Sequence, residues 1–157
     1  TRPPSEELNV SKYFTYSTAL LLFSSYPISR LTVSFDKEKG RQILKSLMVS
    51  AFAGSIFILL QLAGWKEMSD TGFSIDHRSS GFLYVLSGLH IMHVLVVVLV
   101  NTVLMYRTTA KLIDPISSLV YYTNPYQRLV LQMMTQSWWF LHAIWLIIYL
   151  TFVSLNS

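Results

Sequence analysis

Residues 80–106 read SGFLYVLSGLHIMHVLVVVLVNTVLMY, and no Asp, Glu, Lys or Arg interrupts the chain between Arg78 and Arg107. This charge-free run of 28 residues exceeds the roughly 20 that a helix needs to cross the hydrocarbon core of a bilayer. Two further gaps have the same character: 20 residues separate Lys45 from Lys66, and 29 follow Arg128. Across all 157 residues, 52% are hydrophobic and 13% charged, where a soluble domain carries about 25% charged residues. A globule of this size has too little interior to hide such blocks, so a soluble enzyme is excluded. There is no cysteine, which removes disulfides, thiolate metal sites, iron–sulfur clusters and cysteine nucleophiles.

Working outward, the pattern predicts an all-α integral membrane bundle of four transmembrane helices within a single domain, residues 1–157. The helices are expected at about 13–35, 42–65, 80–106 and 129–155. Residues 1–12 form an N-terminal tail, and 107–128 an interfacial loop with room for a short surface helix. The first helix is the least apolar, being rich in Ser and Thr and interrupted by Pro27 and Arg30. Hydroxyls of Ser24, Ser25 and Ser29 are placed to bond the carbonyl that Pro27 leaves open. Gly40 reads as the turn before the second helix, and Lys66 to Ser79 as an exposed polar loop. Pro115 and Pro125 read as helix breakers, and Tyr121, Tyr122 and Tyr126 suit the head-group level. The chain starts at Thr1, with Glu6 and Glu7 where a signal peptide wants positive charge; it reads as processed or incomplete.

The net charge of +4 does not point to nucleic acid, because the basic residues sit in the connections between apolar blocks. Five lie from Arg30 to Lys45 and three from Arg107 to Arg128, against two before the first block and two from Lys66 to Arg78. The positive-inside tendency then places both ends of this stretch away from the cytoplasm.

Polar residues inside the blocks are the candidate functional groups. His90 and His93 stand one turn apart, and Ser87, His90, Val94 and Asn101 fall within about 60° of one another on a helical projection. Such a seam seeks another helix, a lipid head group or a cofactor. On the last helix Gln132, Thr135, Gln136, Trp139 and His142 share one broad side and are its expected partner, bringing three histidines together. On the second helix Ser46, Ser50 and Gly54 recur every four residues, a small-residue face suited to close helix packing, to which Gly88 adds.

Three readings follow for the histidines. As metal or haem ligands they lack acidic support nearby. As proton carriers they lack a carboxylate relay, since all eight acids lie in the tail or the connections. As neutral groups hydrogen-bonding between helices they need nothing more, and this reading carries the most weight. The chain contains no nucleophile-and-base pair, glycine-rich phosphate loop or paired carboxylates.

The run from Ser80 to Val94 resembles the G-S-x-F…G-x-H-x-x-H-V pattern of subunit III of haem–copper oxidases, chiefly cytochrome c oxidase. The segment Leu59 to Trp65 is similar to that family's L-Q-x-x-E-[YW] helix end, and Ser137 to Leu146 to its closing W-Y-W-H-F-x-D-x-x-W-L segment. The matching positions are Gln61, Trp65, Gly88, His90, His93, Trp138 and Trp145. Gly64 stands where many members have Glu, Trp139 where most have His, and His142 where many have Asp. The likeness is to a shortened, Bacteroidetes-like form without the family's upstream helices.

The resemblance implies a non-catalytic subunit of a terminal oxidase in an aerobic respiratory chain, in a bacterial inner membrane or alternatively a mitochondrial one. It would hold no haem or copper itself; those belong to partner subunits, chiefly the catalytic subunit I, within an assembly that can extend to a supercomplex. Bound phospholipid and support of proton uptake are also implied. The alternatives are a haem-binding membrane anchor using His90, His93 or His142, and a subunit III-like chain of a quinol oxidase or nitric oxide reductase.

Overall fold

The computed structural model describes residues 12–70 and 78–156. Every element among them is helical: α1 (Lys12–Ser29), α2 (Leu31–Asp36), α3 (Gly40–Asp70), α4 (Arg78–Leu112), α5 (Pro115–Thr123) and α6 (Pro125–Asn156). Four long helices close a ring in which α1 packs on α3, α3 on α4, α4 on α6 and α6 on α1. The short α2 and α5 sit at one end of this ring, packed on α3, α4 and α6.

Three helices, α3, α4 and α6, are long and apolar enough to cross a membrane. The fourth span expected over 13–35 is different. It divides into α1 and α2 at Arg30, whose N–H bonds back to Pro27 in a tightened turn. The serines near Pro27 do not serve the carbonyl it exposes. Ser24 and Ser25 donate to the Leu21 carbonyl, and Ser29 to that of Ser25.

The hairpin after α2 turns at Glu38, not at Gly40. Glu38 has a positive φ of 53°, while its N–H bonds Phe35 and the Lys39 N–H bonds Ser34, the two bonds of a Schellman helix end. Gly40 instead opens α3 at a close approach. A Cβ there would stand 2.7 Å from both Leu112 Cδ1 and Tyr122 Oη.

The two connections also differ from expectation. Lys66 to Asp70 continue α3, and residues 71–77 of the expected loop lie outside the described residues. Helix α4 runs on to Leu112, and most of 107–128 is helical rather than loop. The prolines explain this: Pro115 occupies the first turn of α5 and Pro125 that of α6, positions where a missing N–H takes nothing from the helix. Asp114 caps α5 by accepting from the Ser117 N–H at 3.0 Å, and Asn124 accepts from the Tyr126 N–H at 3.0 Å.

This end of the bundle is pinned by a two-pronged ion pair in which Arg128 donates to Asp36 at 2.8 and 3.1 Å. Arg30 and Lys111 lie over the rings of Tyr26 and Tyr121. Inside, one apolar cluster centres on Phe14, Phe57 and Trp145, and a second, nearer α2 and α5, on Ile43, Leu131 and Trp138.

Two outcomes follow. Glu38→Gly removes the side chain from a left-handed position and should raise unfolding free energy in detergent by about 0.5–1 kcal/mol, read by denaturant titration. The hydrogen bond from Arg128, and then its charge, hold the Asp36 carboxyl below its ordinary 3.8 against the opposing push of desolvation. The pair's contribution is therefore complete above that value and disappears as pH falls through the lowered one. The wild-type melting temperature should fall more steeply below about pH 4 than that of Asp36→Asn, with equal slopes counting against a contributing pair.

Candidate functional site

The interior polar groups converge on α1. Buried hydroxyls there spend their protons on their own helix: Ser17 and Thr18 each donate to the Phe14 carbonyl at 2.8 Å, and Ser24 to Leu21 at 2.7 Å. Their oxygens are left as acceptors facing the neighbouring helices. Gln61 of α3 donates its amide to Ser17 at 2.9 Å. From α6, Trp145 donates to Thr18 at 2.9 Å and Trp138 to Ser24 at 3.3 Å. Thr135 reaches the Ile28 carbonyl at 3.2 Å.

His142 is buried and makes the shortest of these contacts. Its Nε2 lies 2.6 Å from the Leu21 carbonyl on α1, and its Nδ1 2.7 Å from the Trp138 carbonyl on its own helix. Carbonyl oxygens only accept, so a neutral imidazole with a single N–H serves one of them at a time.

The third and fourth helices of the ring are joined by their own set. Asn101 donates to the Leu47 carbonyl at 3.1 Å and to Ser50 at 2.7 Å, and Trp65 donates to Ser87 at 3.1 Å. The small residues make this approach possible. Ser46, Ser50 and Gly54 are buried on α3, and a Cβ on Gly54 would stand 2.5 Å from Val98 Cγ2 and 3.2 Å from the Trp138 ring. A Cβ on Gly88 would stand 3.3 Å from Trp65.

His90 has neither nitrogen bonded among the described residues. It is held as an aromatic group, stacked on Trp145 at 5.3 Å between centroids and met edge-on by Phe57 at 5.6 Å. The Gln61 Oε1 and Asn101 Oδ1 atoms are likewise buried without a partner among the described residues.

The polar seam of Ser87, His90 and Asn101 thus lies inside, facing α3 and the Trp145 ring, while the hydrogen bonds of the other two histidines lead elsewhere. His142 turns to α1, and His93 lies on the outer surface with its Nδ1 2.7 Å from the Leu89 carbonyl. Gln132 and Gln136 are exposed and Trp139 is 49% exposed. The broad polar side of α6 is therefore split. Its flank with Thr135 and His142 is drawn to α1, whose carbonyls and hydroxyls accept, and the rest faces outward. Among the described residues no group of three His, Asp or Glu is gathered as a metal site.

Ser17 and Thr18 are the contributors that sequence reasoning passes over, and Ser24 serves Trp138 rather than the carbonyl opposite Pro27. Their signal was the sevenfold spacing of Ser17 with Ser24 and Thr18 with Ser25, which repeats a pair of hydroxyls on one helix face two turns apart. Chemically the arrangement holds helices in register, and among the described residues it sets no acid beside a base. The chain matches no model of a known protein family, and no curated protein.

A double-mutant cycle on Ser24→Ala and Trp138→Phe should give a coupling of about 0.6 kcal/mol, the average for interhelical hydrogen bonds in membranes, measured by unfolding in detergent. Zero coupling would remove α1 as the acceptor rail.

Proposed function

We propose that this chain is an accessory, non-catalytic subunit of a membrane respiratory complex, of the subunit III class of haem–copper oxidases. The observation that carries the reading is that the residues of three separate motifs pack on one another. Trp65 from the first motif lies against Gly88 of the double-His motif and donates to Ser87. His90 of that same motif stacks on Trp145 of the closing tryptophan segment. Gln61 and Trp138 reach the same rail on α1. Residues used in this way fix the shape of a bundle, which suits a subunit that supports a catalytic neighbour.

In this reading the haem and copper sit in partner chains, with oxidase subunit I the principal contact. Phospholipid binds at the bundle, and the subunit supports proton uptake by its partner. The membrane is a bacterial inner membrane, and the end bearing Arg30 to Lys45 and Arg107 to Arg128 faces the cytoplasm by the positive-inside tendency. A quinol oxidase or nitric oxide reductase would use a chain of the same class in the same way.

The test is a reduced-minus-oxidised visible spectrum of the tagged chain purified in mild detergent, repeated after harsher detergent has stripped it to a single polypeptide. An a-type haem band that co-purifies with large partner chains and vanishes on stripping is the expected result. Haem retained by the lone chain would make its histidines ligands and the chain an anchor, and no haem at either stage would remove the oxidase assignment.

A further inference from the structure

His93 is a polar side chain that the bundle turns outward near the middle of α4. It follows His90 by three residues, so the helix rotates it about 60° off the buried seam. At 1.5 Å per residue it stands about 13 Å along the axis from Tyr84 and about 20 Å from Tyr106, well within a hydrocarbon core about 30 Å thick. The imidazole stem is one carbon long and cannot carry the ring to the head groups. Around it the outer strip of α4 consists of Leu89, Val96 and Val100, all exposed and all without a polar side-chain atom.

The ring's hydrogen bonding fixes what it lacks. Nδ1 lies 2.7 Å from the Leu89 carbonyl, and since a carbonyl only accepts, Nδ1 carries the proton. Nε2 of the neutral ring is then a bare acceptor, directed away from the helix that Nδ1 bonds. A polar group at this depth ordinarily faces protein, not lipid, and acyl chains have no hydrogen to give.

We infer that the His93 strip of α4 is a docking surface for a transmembrane helix of a partner polypeptide, whose facing side chain donates an N–H or O–H to His93 Nε2. A second copy of this chain does not fit. A two-fold pairing across the strip would set one Nε2 acceptor against another, with both Nδ1 protons already engaged and no donor on Leu89, Val96 or Val100 to intervene. The inference rests on the membrane-embedded bundle and holds whichever complex the chain belongs to.

The experiment uses the tagged full chain in its native membranes, with a photoreactive benzoylphenylalanine in place of Val96, one turn from His93. Irradiation should yield an adduct to a transmembrane segment of another polypeptide that bears Ser, Thr, Asn, Gln, Tyr or Trp at the linked level. The yield should fall about three- to twenty-fold in His93→Leu, the span expected for loss of one interhelical hydrogen bond, and recover in His93→Gln, which restores an acceptor. The bundle's own melting temperature in detergent should not move, since His93 bonds only its own helix. Adducts to lipid alone, adducts to a second copy, a captured polypeptide whose yield ignores His93→Leu, or haem that stays with the stripped lone chain and is lost in His93→Leu would each overturn the inference. An adduct that behaves as expected but lies in a chain of a complex without haem would leave the inference standing and remove the oxidase assignment.

Discussion

An N–H buried in hydrocarbon has no water to turn to, and this constraint organises the bundle. Two indoles and a carboxamide, of Trp138, Trp145 and Gln61, need acceptors, and an ordinary transmembrane helix offers few because its carbonyls are already bonded along the axis. Helix α1 supplies them with serine and threonine oxygens whose protons are already given to carbonyls of the preceding turn. A hydroxyl bound in this way is stripped of donor character and becomes a nearly pure acceptor. Hydrophobic burial gives no preference for helix over lipid in a membrane, so such directional bonds, with the close fit at Gly54, decide how α1, α3 and α6 are rotated about their axes. The contact of α4 with α3 obeys the same accounting through Asn101 and Trp65, while its contact with α6 relies on apolar packing and the stacking of His90 on Trp145.

The same accounting separates what was legible in the sequence from what was not. The charge-free gaps marked α3, α4 and α6, because length and apolarity are sums that a sequence contains. The role of α1 is not a sum. Hydropathy counts each Ser and Thr as a polar burden and made this segment the weakest, whereas the burden is halved once each proton is satisfied within the helix. Pro115 and Pro125 look like breakers for a related reason: the residue type is visible, but whether it falls inside a helix or in its first turn depends on where the cap forms, here at Asp114 and Asn124. The turn at Glu38 in place of Gly40 shows tertiary demand prevailing over local preference. Gly40 is needed where Leu112 and Tyr122 press on the backbone, so the left-handed position falls to a residue poorly suited to it.

The candidate site shows where a projection fails. Placing His90, Ser87 and Asn101 on one seam needs only the helical angle, and that angle holds. Joining His93 to them treats a spacing of three as the same face, yet the rotation of about 60° that remains is the difference between the bundle interior and its surface. His142 turns instead to α1, where the Leu21 carbonyl stands 2.6 Å from its Nε2, an acceptor that no helical projection of α6 reveals. The unpartnered atoms on the inside fit this picture. Gln61 and Asn101 commit their donor groups and leave an oxygen unbonded, the less costly of the two omissions. His90 offsets the loss of hydrogen bonds by lying face-on to one ring and edge-on to another, so its contribution is to shape.

With the interior donors placed, the polar groups left on the outside carry information, and depth ranks them. Gln132 lies one turn from Arg128, about 6 Å along the axis, so its flexible amide reaches the level of the head groups and needs no protein partner. Gln136 lies one turn deeper on a side chain long enough to lean the same way. Trp139 buries half its ring against the bundle. His93 has none of these outlets: it is short, central and fixed by its bond to Leu89 with an acceptor facing away. Of these four, His93 alone is held by a hydrogen bond to its own helix with an acceptor left facing away, and that is what marks its strip of α4 for another helix.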